Sequence, residues 1–259
     1  MPPSDIHIEF DLPDGKRIYF AGDFHLGYPN DEQSRKREVT LVSWLSFIEQ
    51  DAGAVFLMGD HFDFWFEYNH VVPAGYVRFL GKIAAMTDAG VKIFMFRGNH
   101  DMWTRGYWSK ELGVEVISDG CTMVSRGKRF YLHHGDGLGP ADRSYKMLRR
   151  IFRATWSSWL FERLHPNFGF FIATSWSKRS RKSQGNRYNK FMGKDKELLY
   201  QFVCNHESAH EYYIFGHRHL ALDIEVNKTR RYINTGTWLK SPTYAVFDGK
   251  EVALKEYNP

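Results

Sequence analysis

Ala54-Val55-Phe56-Leu57-Met58-Gly59-Asp60-His61-Phe62-Asp63 decides how this chain is read. Five apolar residues with no polar interruption describe a strand buried on both faces. The run stops at Gly59, and a carboxylate follows at once. Open α/β sheets bind their ligands at such strand ends. Four other segments repeat the arrangement: Phe20-Ala21-Gly22-Asp23-Phe24-His25, Phe96-Arg97-Gly98-Asn99-His100-Asp101, Leu132-His133-His134-Gly135-Asp136 and Phe215-Gly216-His217-Arg218-His219.

Working outward, Ile6 to Phe10 and Arg17 to Ala21 read as strands, with a turn signal at Leu12-Pro13-Asp14-Gly15. Residues 31–50 carry apolar side chains at helical spacing, and so do residues 74–88, which stop at Gly90. Strand 91–96 then delivers Asn99. The alternation of strand and helix predicts crossover units and a largely parallel sheet. Short strands follow near 114–117, 121–125 and 129–133, then a helix near 194–209, a strand at 212–215 and four closing strands. The expected fold is α/β, with two sheets stacked face to face and helices outside, in one domain spanning 1–259.

The length of 259 residues allows a large core in a single elaborated domain. Cys121 and Cys204 match no zinc spacing and predict no disulfide framework, so a reducing compartment is expected. The start, Met-Pro-Pro-Ser-Asp, has no signal-peptide pattern, and no apolar run approaches the ~20 residues of a membrane span. The expected location is cytoplasmic, with any membrane contact peripheral. The overall charge of +5 is unevenly spread. Between Arg143 and Lys190 there are twelve Lys/Arg and one acid, Glu162, which leaves the remainder acidic. The block calls for an anionic partner.

Asp23, Asp60 and Asn99 are oxygen donors at strand ends; His25, His134, His217 and His219 are nitrogen donors. Asp23 and His25 lie two apart, which in extended backbone aims both to one side. Mixed carboxylate and imidazole donors suit manganese, iron or zinc better than calcium. Asp60, with two oxygens, can bridge two ions, and seven donors then serve a two-metal site with open positions. Taken singly, Asp-x-His and Gly-Asp are ordinary turn chemistry. Five such motifs, each after an apolar strand, are not.

The order D-x-H, G-D-x-x-D, G-N-H-D, H-G-D, G-H-x-H resembles the calcineurin-like metallophosphoesterase superfamily, from about residue 17 to residue 219. The resemblance implies a four-layer sandwich with a di-metal site at the strand ends. It implies one ion on Asp23, His25, Asp60 and His219, and another on Asp60, Asn99, His134 and His217. His133 is passed over because the motif uses the histidine directly before Gly135. Water activated by the ions would attack phosphorus in line. His100, beside Asn99, is expected as transition-state stabiliser or proton donor, held by Asp101. Asp63 is expected to orient a ligand histidine.

The basic block interrupts the core between the fourth and fifth motifs. Residues 144–164 place Met147, Leu148, Ile151, Phe152, Trp156, Trp159 and Leu160 at helical spacing with Arg149, Arg150 and Arg153 between them. An apolar piece, 167–173, and a basic piece, 176–182, follow. Aromatic faces flanked by Arg and Lys describe an interfacial amphipathic element, here a helical cap over residues 141–192 that binds lipid and touches the inner-membrane surface. Simple packing on the core and nucleic-acid binding are the competing readings; the density of Phe, Trp and Leu favours lipid, and no nucleic-acid partner is expected. With Phe62-Asp63-Phe64-Trp65 and the Asp142 and Tyr145 pair, this insertion is similar to the UDP-2,3-diacylglucosamine diphosphatases of lipid A biosynthesis. That likeness implies attack on the α-phosphorus of a lipid-linked UDP-sugar, releasing UMP, with two divalent ions, Mn2+ by habit of the family. It implies substrate contacts from Asp142, Tyr145, Ser177 and Arg181. One departure is His100, where well-known members carry Arg. A phosphoesterase for nucleotides, nucleic acid or phosphoprotein, and a catalytically silent scaffold, are the alternatives.

Overall fold

The computed structural model describes residues 6–139, 143–184, 190–206 and 209–259, with 143–145, 180 and 182–184 described in backbone only. Among them, two six-stranded sheets face each other. The first sheet contains β2 (Arg17–Ala21), β3 (Ala52–Leu57), β4 (Lys92–Phe96) and β5 (Glu115–Ile117), which run parallel. The antiparallel β11 (Thr243–Phe247) and β12 (Val252–Glu256) extend it beside β2. The second sheet has the order β1 (Ile6–Glu9), β6 (Cys121–Ser125), β7 (Lys128–His133), β8 (Tyr212–Phe215), β10 (Arg230–Thr235) and β9 (Ala221–Asn227). The turn at residues 12–15 therefore carries the chain from one sheet to the other.

Three apolar layers hold the sandwich. α1 (Asp31–Ile48) and α2 (Val77–Asp88) cover the outer face of the first sheet, where Val55 and Leu57 meet Trp44, Leu45, Phe79 and Ile83. The neighbours Ala54, Phe56 and Met58 point inward, against the second sheet. That two-sided burial explains why β3 shows no polar alternation. The sheet registers align Phe20, Phe56 and Phe94, whose rings stack at 5.4 and 4.5 Å, and Phe20 reaches Phe130 of the facing sheet at 6.2 Å. Helix α7 (Leu198–Asn205) covers the other side of the second sheet through Leu199 and Val203. The architecture is the expected four-layer sandwich. A short helix, α3 (Tyr107–Glu111), follows the Asn99 loop and escapes the sequence reading. The buried Glu67 carboxylate caps it by accepting from the backbone N–H groups of Arg105, Gly106 and Tyr107.

The cap consists of α4 (Arg143–Arg153), α5 (Thr155–Glu162) and α6 (Pro166–Gln184). The continuous helix expected over 144–164 breaks at Ala154, which is extended. The break frees the carbonyl of Phe152, which accepts from Trp103 Nε1 at 2.8 Å. Phe161 and Phe170 pack on Phe64, with ring centroids 5.6 and 5.0 Å away. Phe64 thus forms the floor beneath the cap. Trp65 does not; its ring lies in the core, stacked on Phe62 at 4.5 Å. The single helix expected near 194–209 is a 3-10 turn, Lys194–Lys196, followed by α7. Glu197 between them is extended, and its buried carboxylate accepts from Arg218 Nε and Nη2 at 2.8 Å each.

Candidate metal centre

The five glycine turns converge at one edge of the sandwich because β2, β3, β4, β7 and β8 all end there. Asp23, His25, Asp60, His217 and His219 all have positive φ, between 45° and 69°. A left-handed conformation at a non-glycine residue costs on the order of 1–3 kcal/mol and persists only where the surroundings enforce it. Here they do. Asp23 N–H donates to Gly59 O at 2.9 Å, and His25 N–H to Asp60 O at 3.0 Å. His217 N–H donates to Asp23 Oδ2 at 2.8 Å. The paired ligands therefore reach the centre through curled backbone, not through the extended strand expected from their spacing.

Two clusters form around Asp60. Asp23, His25, Asp60 and His219 make one; Asp60, His134 and His217 make the other, with ligand atoms in each within 4.8 Å of one another. His219 Nε2 lies 3.2 Å from Asp23 Oδ1 and 2.9 Å from His25 Nε2. Asn99 Oδ1 joins the second cluster, 3.3 Å from His134 Nε2 and 3.1 Å from His217 Nδ1. Asp60 Oδ2 faces both, 3.9 Å from His25 Nε2 and 3.5 Å from His134 Nε2. His217 and His219, two apart in sequence, turn to different clusters. His133 points away: its Nδ1 accepts from Gly135 N–H at 2.7 Å.

The motif glycines are a consequence of this crowding. A Cβ at Gly98 would lie 2.2 Å from Asp60 Oδ1, one at Gly59 would lie 2.5 Å from His134 Nδ1, and one at Gly216 would lie 2.6 Å from Asp23 Oδ2. Each turn lets a ligand of another turn rest against its backbone.

The electrostatics describe a site short of cations. Burial alone would raise the Asp60 carboxyl, but His134, His100 and His25 hold it well below its ordinary value. Burial likewise opposes ionisation of Asp23, yet His219 and His25 keep it low. Burial would strip the proton from His134; the carboxylates Asp60 and Asp23 override it and push the imidazole up to about 10. His134 Nδ1–H donates to Met58 O at 2.7 Å, which leaves Nε2 for the centre. Burial lowers His25 well below its ordinary value and His217 to about 4, so both are neutral. Asp23 Oδ1 is buried and receives no aligned hydrogen bond. The neutral imidazoles of His25 and His217, the ionised carboxylates and an unsatisfied buried oxygen fit a pair of divalent ions, to one of which His134 would give up its Nε2 proton.

Around the clusters the structure redistributes the expected roles. His100 is partly exposed; its Nδ1–H donates to the backbone carbonyl of Asp63 at 2.8 Å, and its ring meets that of His25 edge-on at 5.0 Å. Asp101 does not hold it. The Asp101 carboxylate instead accepts from His61 Nδ1, His61 N–H and Gly98 N–H, each at 2.7 Å, and so bolts the Asp60 and Asn99 loops together. Adjacency in sequence misassigned this partner because the turn at Asn99 aims neighbouring side chains apart. Ser177 Oγ donates to Asp63 Oδ1 at 3.1 Å. Arg181 Nη2 lies 2.5 Å from the same oxygen and 3.0 Å from His25 Nδ1, with its guanidinium 4.0 Å above the Tyr28 ring. An ion on His25 Nε2 requires the proton on Nδ1, which ends acceptance from Arg181 but leaves it the Asp63 partner. Asp142 lies outside the described residues, and Tyr145 is described in backbone only.

Two supports were missed by the sequence reading. Arg37 of α1 donates to the carbonyls of Phe24 (2.6 Å) and His25 (2.7 Å) and to that of Tyr28, holding the first loop. Asn234 Nδ2 donates to Gly216 O, holding the last. A lone arginine among helix charges carries no signal of such a role.

The family model of calcineurin-like phosphoesterases matches residues 16–221. A protein of Porphyromonas gingivalis named UDP-2,3-diacylglucosamine hydrolase is 38% identical, with 92% of this chain and 97% of that one covered. Proteins of the same name from Aeromonas hydrophila and Shewanella halifaxensis are 25% and 24% identical, covering 92% and 93% of this chain and 97% and 98% of theirs.

Proposed function

Because the chain belongs to the calcineurin-like phosphoesterase family, we propose that it hydrolyses the pyrophosphate of UDP-2,3-diacylglucosamine, giving 2,3-diacylglucosamine 1-phosphate and UMP. One observation carries the choice of substrate. The basic, aromatic cap is joined directly to the candidate metal centre, with Ser177 and Arg181 of α6 on Asp63 and Arg181 at His25. A phosphoester flanked by acyl chains fits a centre so placed. The names of the relatives agree.

Two divalent ions, manganese in this reading, would activate water and offset phosphoryl charge when bound. Asp23, His25, Asp60 and His219 would hold one, and Asp60, Asn99, His134 and His217 the other. His100 is fixed through Nδ1, so Nε2 is the nitrogen available to a phosphoryl or leaving oxygen. Arg181 supplies a guanidinium suited to the pyrophosphate. Asp142 and Tyr145 are assigned to the nucleotide-sugar by their place in the motif.

The apolar side chains of the cap divide into two sets. Phe152, Phe161 and Phe170 face the body, whereas Trp156, Trp159, Phe171 and Trp176 are more than half exposed, at 59%, 54%, 66% and 58%. No residue of α5 is buried. α5 keeps Phe161 on the body but exposes Trp156, Trp159 and Leu160, with the Arg163 guanidinium 4.4 Å from the Trp159 ring centre, which suits the boundary of an anionic bilayer. No described helix is long and apolar enough to cross a membrane. The reading therefore places the protein in the cytoplasm with its cap on the inner membrane. Manganese-loaded protein should release UMP from UDP-2,3-diacylglucosamine in detergent micelles. Brisk hydrolysis of DNA or simple monoesters without UMP release would reject this substrate.

A further inference from the structure

The cap is tied to the body at a second place, through α4. Arg149 Nη2 and Arg153 Nη1 of α4 each lie 2.6 Å from Asp119 Oδ1, in the loop between β5 and β6. Arg149 Nε also lies 2.6 Å from Asp136 Oδ2, with Arg153 Nη2 3.9 Å from that oxygen. Asp136 is fully buried and follows His134 by two residues. Lys146 Nζ, one turn earlier on α4, donates to Gly139 O at 2.6 Å. The aliphatic part of Arg149 packs over the turn so closely that a Cβ at Gly137 would lie 3.2 Å from its Cδ. One face of α4 thus grips residues 136–139, the continuation of the strand end that carries His134.

The two carboxylates and two guanidiniums depend on one another. Removing the cations takes away two ion pairs that fix the buried Asp136 carboxylate to α4, so the turn loosens or rearranges. Either movement shifts His134, because only Gly135 separates it from Asp136. The Asp23 and His25 turn is held by other means, through Arg37 and backbone bonds to the Asp60 loop.

We propose that Arg149 and Arg153 are positioning residues that couple occupancy of the Asp60, Asn99, His134 and His217 ion site to seating of the cap on the body. The inference rests on reading those four residues as ion ligands. Coupling of this kind is reciprocal: an ion at that site tightens the cap, and a seated cap tightens the ion. Residues that orient a metal ligand from outside typically contribute about 10–100-fold in metal affinity.

The test is equilibrium dialysis with Mn2+ alone, joined to chymotrypsin digestion of the cap with and without Mn2+. Wild-type protein should take up two ions per chain, and Mn2+ should slow cleavage at the cap aromatics. R149Q/R153Q should keep one ion near wild-type affinity, bind the other roughly 10–100-fold more weakly, and lose the Mn2+-dependent protection. Asp119→Asn removes the shared carboxylate while leaving Asp136 and both arginines in place and should give the same pattern more mildly, which covers a double variant that folds poorly. Arg150→Gln, on the exposed side of α4, should change neither readout. Two ions bound with wild-type affinity in R149Q/R153Q and in Asp119→Asn would overturn the coupling. So would cap cleavage in wild-type protein that is indifferent to Mn2+. Neither readout uses substrate, so a failure to release UMP is distinguishable from a failure of the clamp.

Discussion

His100 and Asp63 are joined through a backbone carbonyl: the imidazole Nδ1–H donates to Asp63 O at 2.8 Å, while the Asp63 carboxylate takes Ser177 and Arg181 of the cap. One residue therefore orients the candidate acid and seats the cap. His100→Gln leaves the ligand set intact, so metal content should stay at two ions per chain. Its kcat on the UDP-lipid should fall by about 10²–10⁴-fold. Loss of the ions together with activity would move His100 from chemistry to structure.

Asp60 is shared by both clusters, so Asp60→Ala should release both ions and nearly all activity. Elemental analysis after dialysis reads this directly. Two tightly held ions in the variant would remove the bridging role.

Ion uptake should depend on pH with a fixed sign. Without ions, Asp60 and Asp23 keep the His134 proton up to about 10. An ion on Nε2 must displace a proton there at any pH below that value, so apparent affinity should fall as pH falls, by up to about tenfold per unit from this group alone. Calorimetry in buffers of different ionisation heat should detect proton release at pH 7.5. No release would contradict the proton assignment.

Gly98→Ala places a methyl group 2.2 Å from Asp60 Oδ1 and 2.4 Å from its backbone nitrogen, where no flexible end can yield. Destabilisation of about 1–3 kcal/mol and loss of tight ion binding are expected. Gly81→Ala, exposed in α2 with nothing within 4 Å of the new carbon, should instead stabilise by roughly 0.5–1 kcal/mol. Denaturant midpoints of the two variants should move in opposite directions.

Trp156 and Trp159 test the membrane reading. Replacing both by alanine should weaken binding to vesicles of anionic lipid by roughly tenfold or more, and activity on a short-chain soluble analogue should persist. Equal vesicle binding by variant and wild type would detach the exposed face from the bilayer.

Strands and glycine turns were readable because their signals are local: an uninterrupted apolar run, then a glycine, then a donor. The four-layer fold followed from their order. The α4–α5 break was not readable, since Ala154 and its neighbours carry no breaker; it is matched by a long-range bond from Trp103 to Phe152 O. The partner of Asp101 was misread for a similar reason, being His61 some forty residues away. Arg37, Glu197 and Asp136 look like ordinary surface or turn residues until the chain closes around them.

By itself, the sequence determined which residues stand at the strand ends, and hence the candidate donors Asp23, His25, Asp60, Asn99, His134, His217 and His219. Side-chain chemistry and burial period are properties of short stretches. The division of those donors between two clusters about Asp60 was implied by the resemblance; the tertiary structure decided the backbone that achieves it, left-handed at Asp23, His25, Asp60, His217 and His219. It also decided that the cap meets the centre through Arg181 at His25, across 156 residues of chain. Such pairings depend on left-handed backbone enforced by neighbouring loops and on charges that burial compels to pair. Neither is encoded in any one segment.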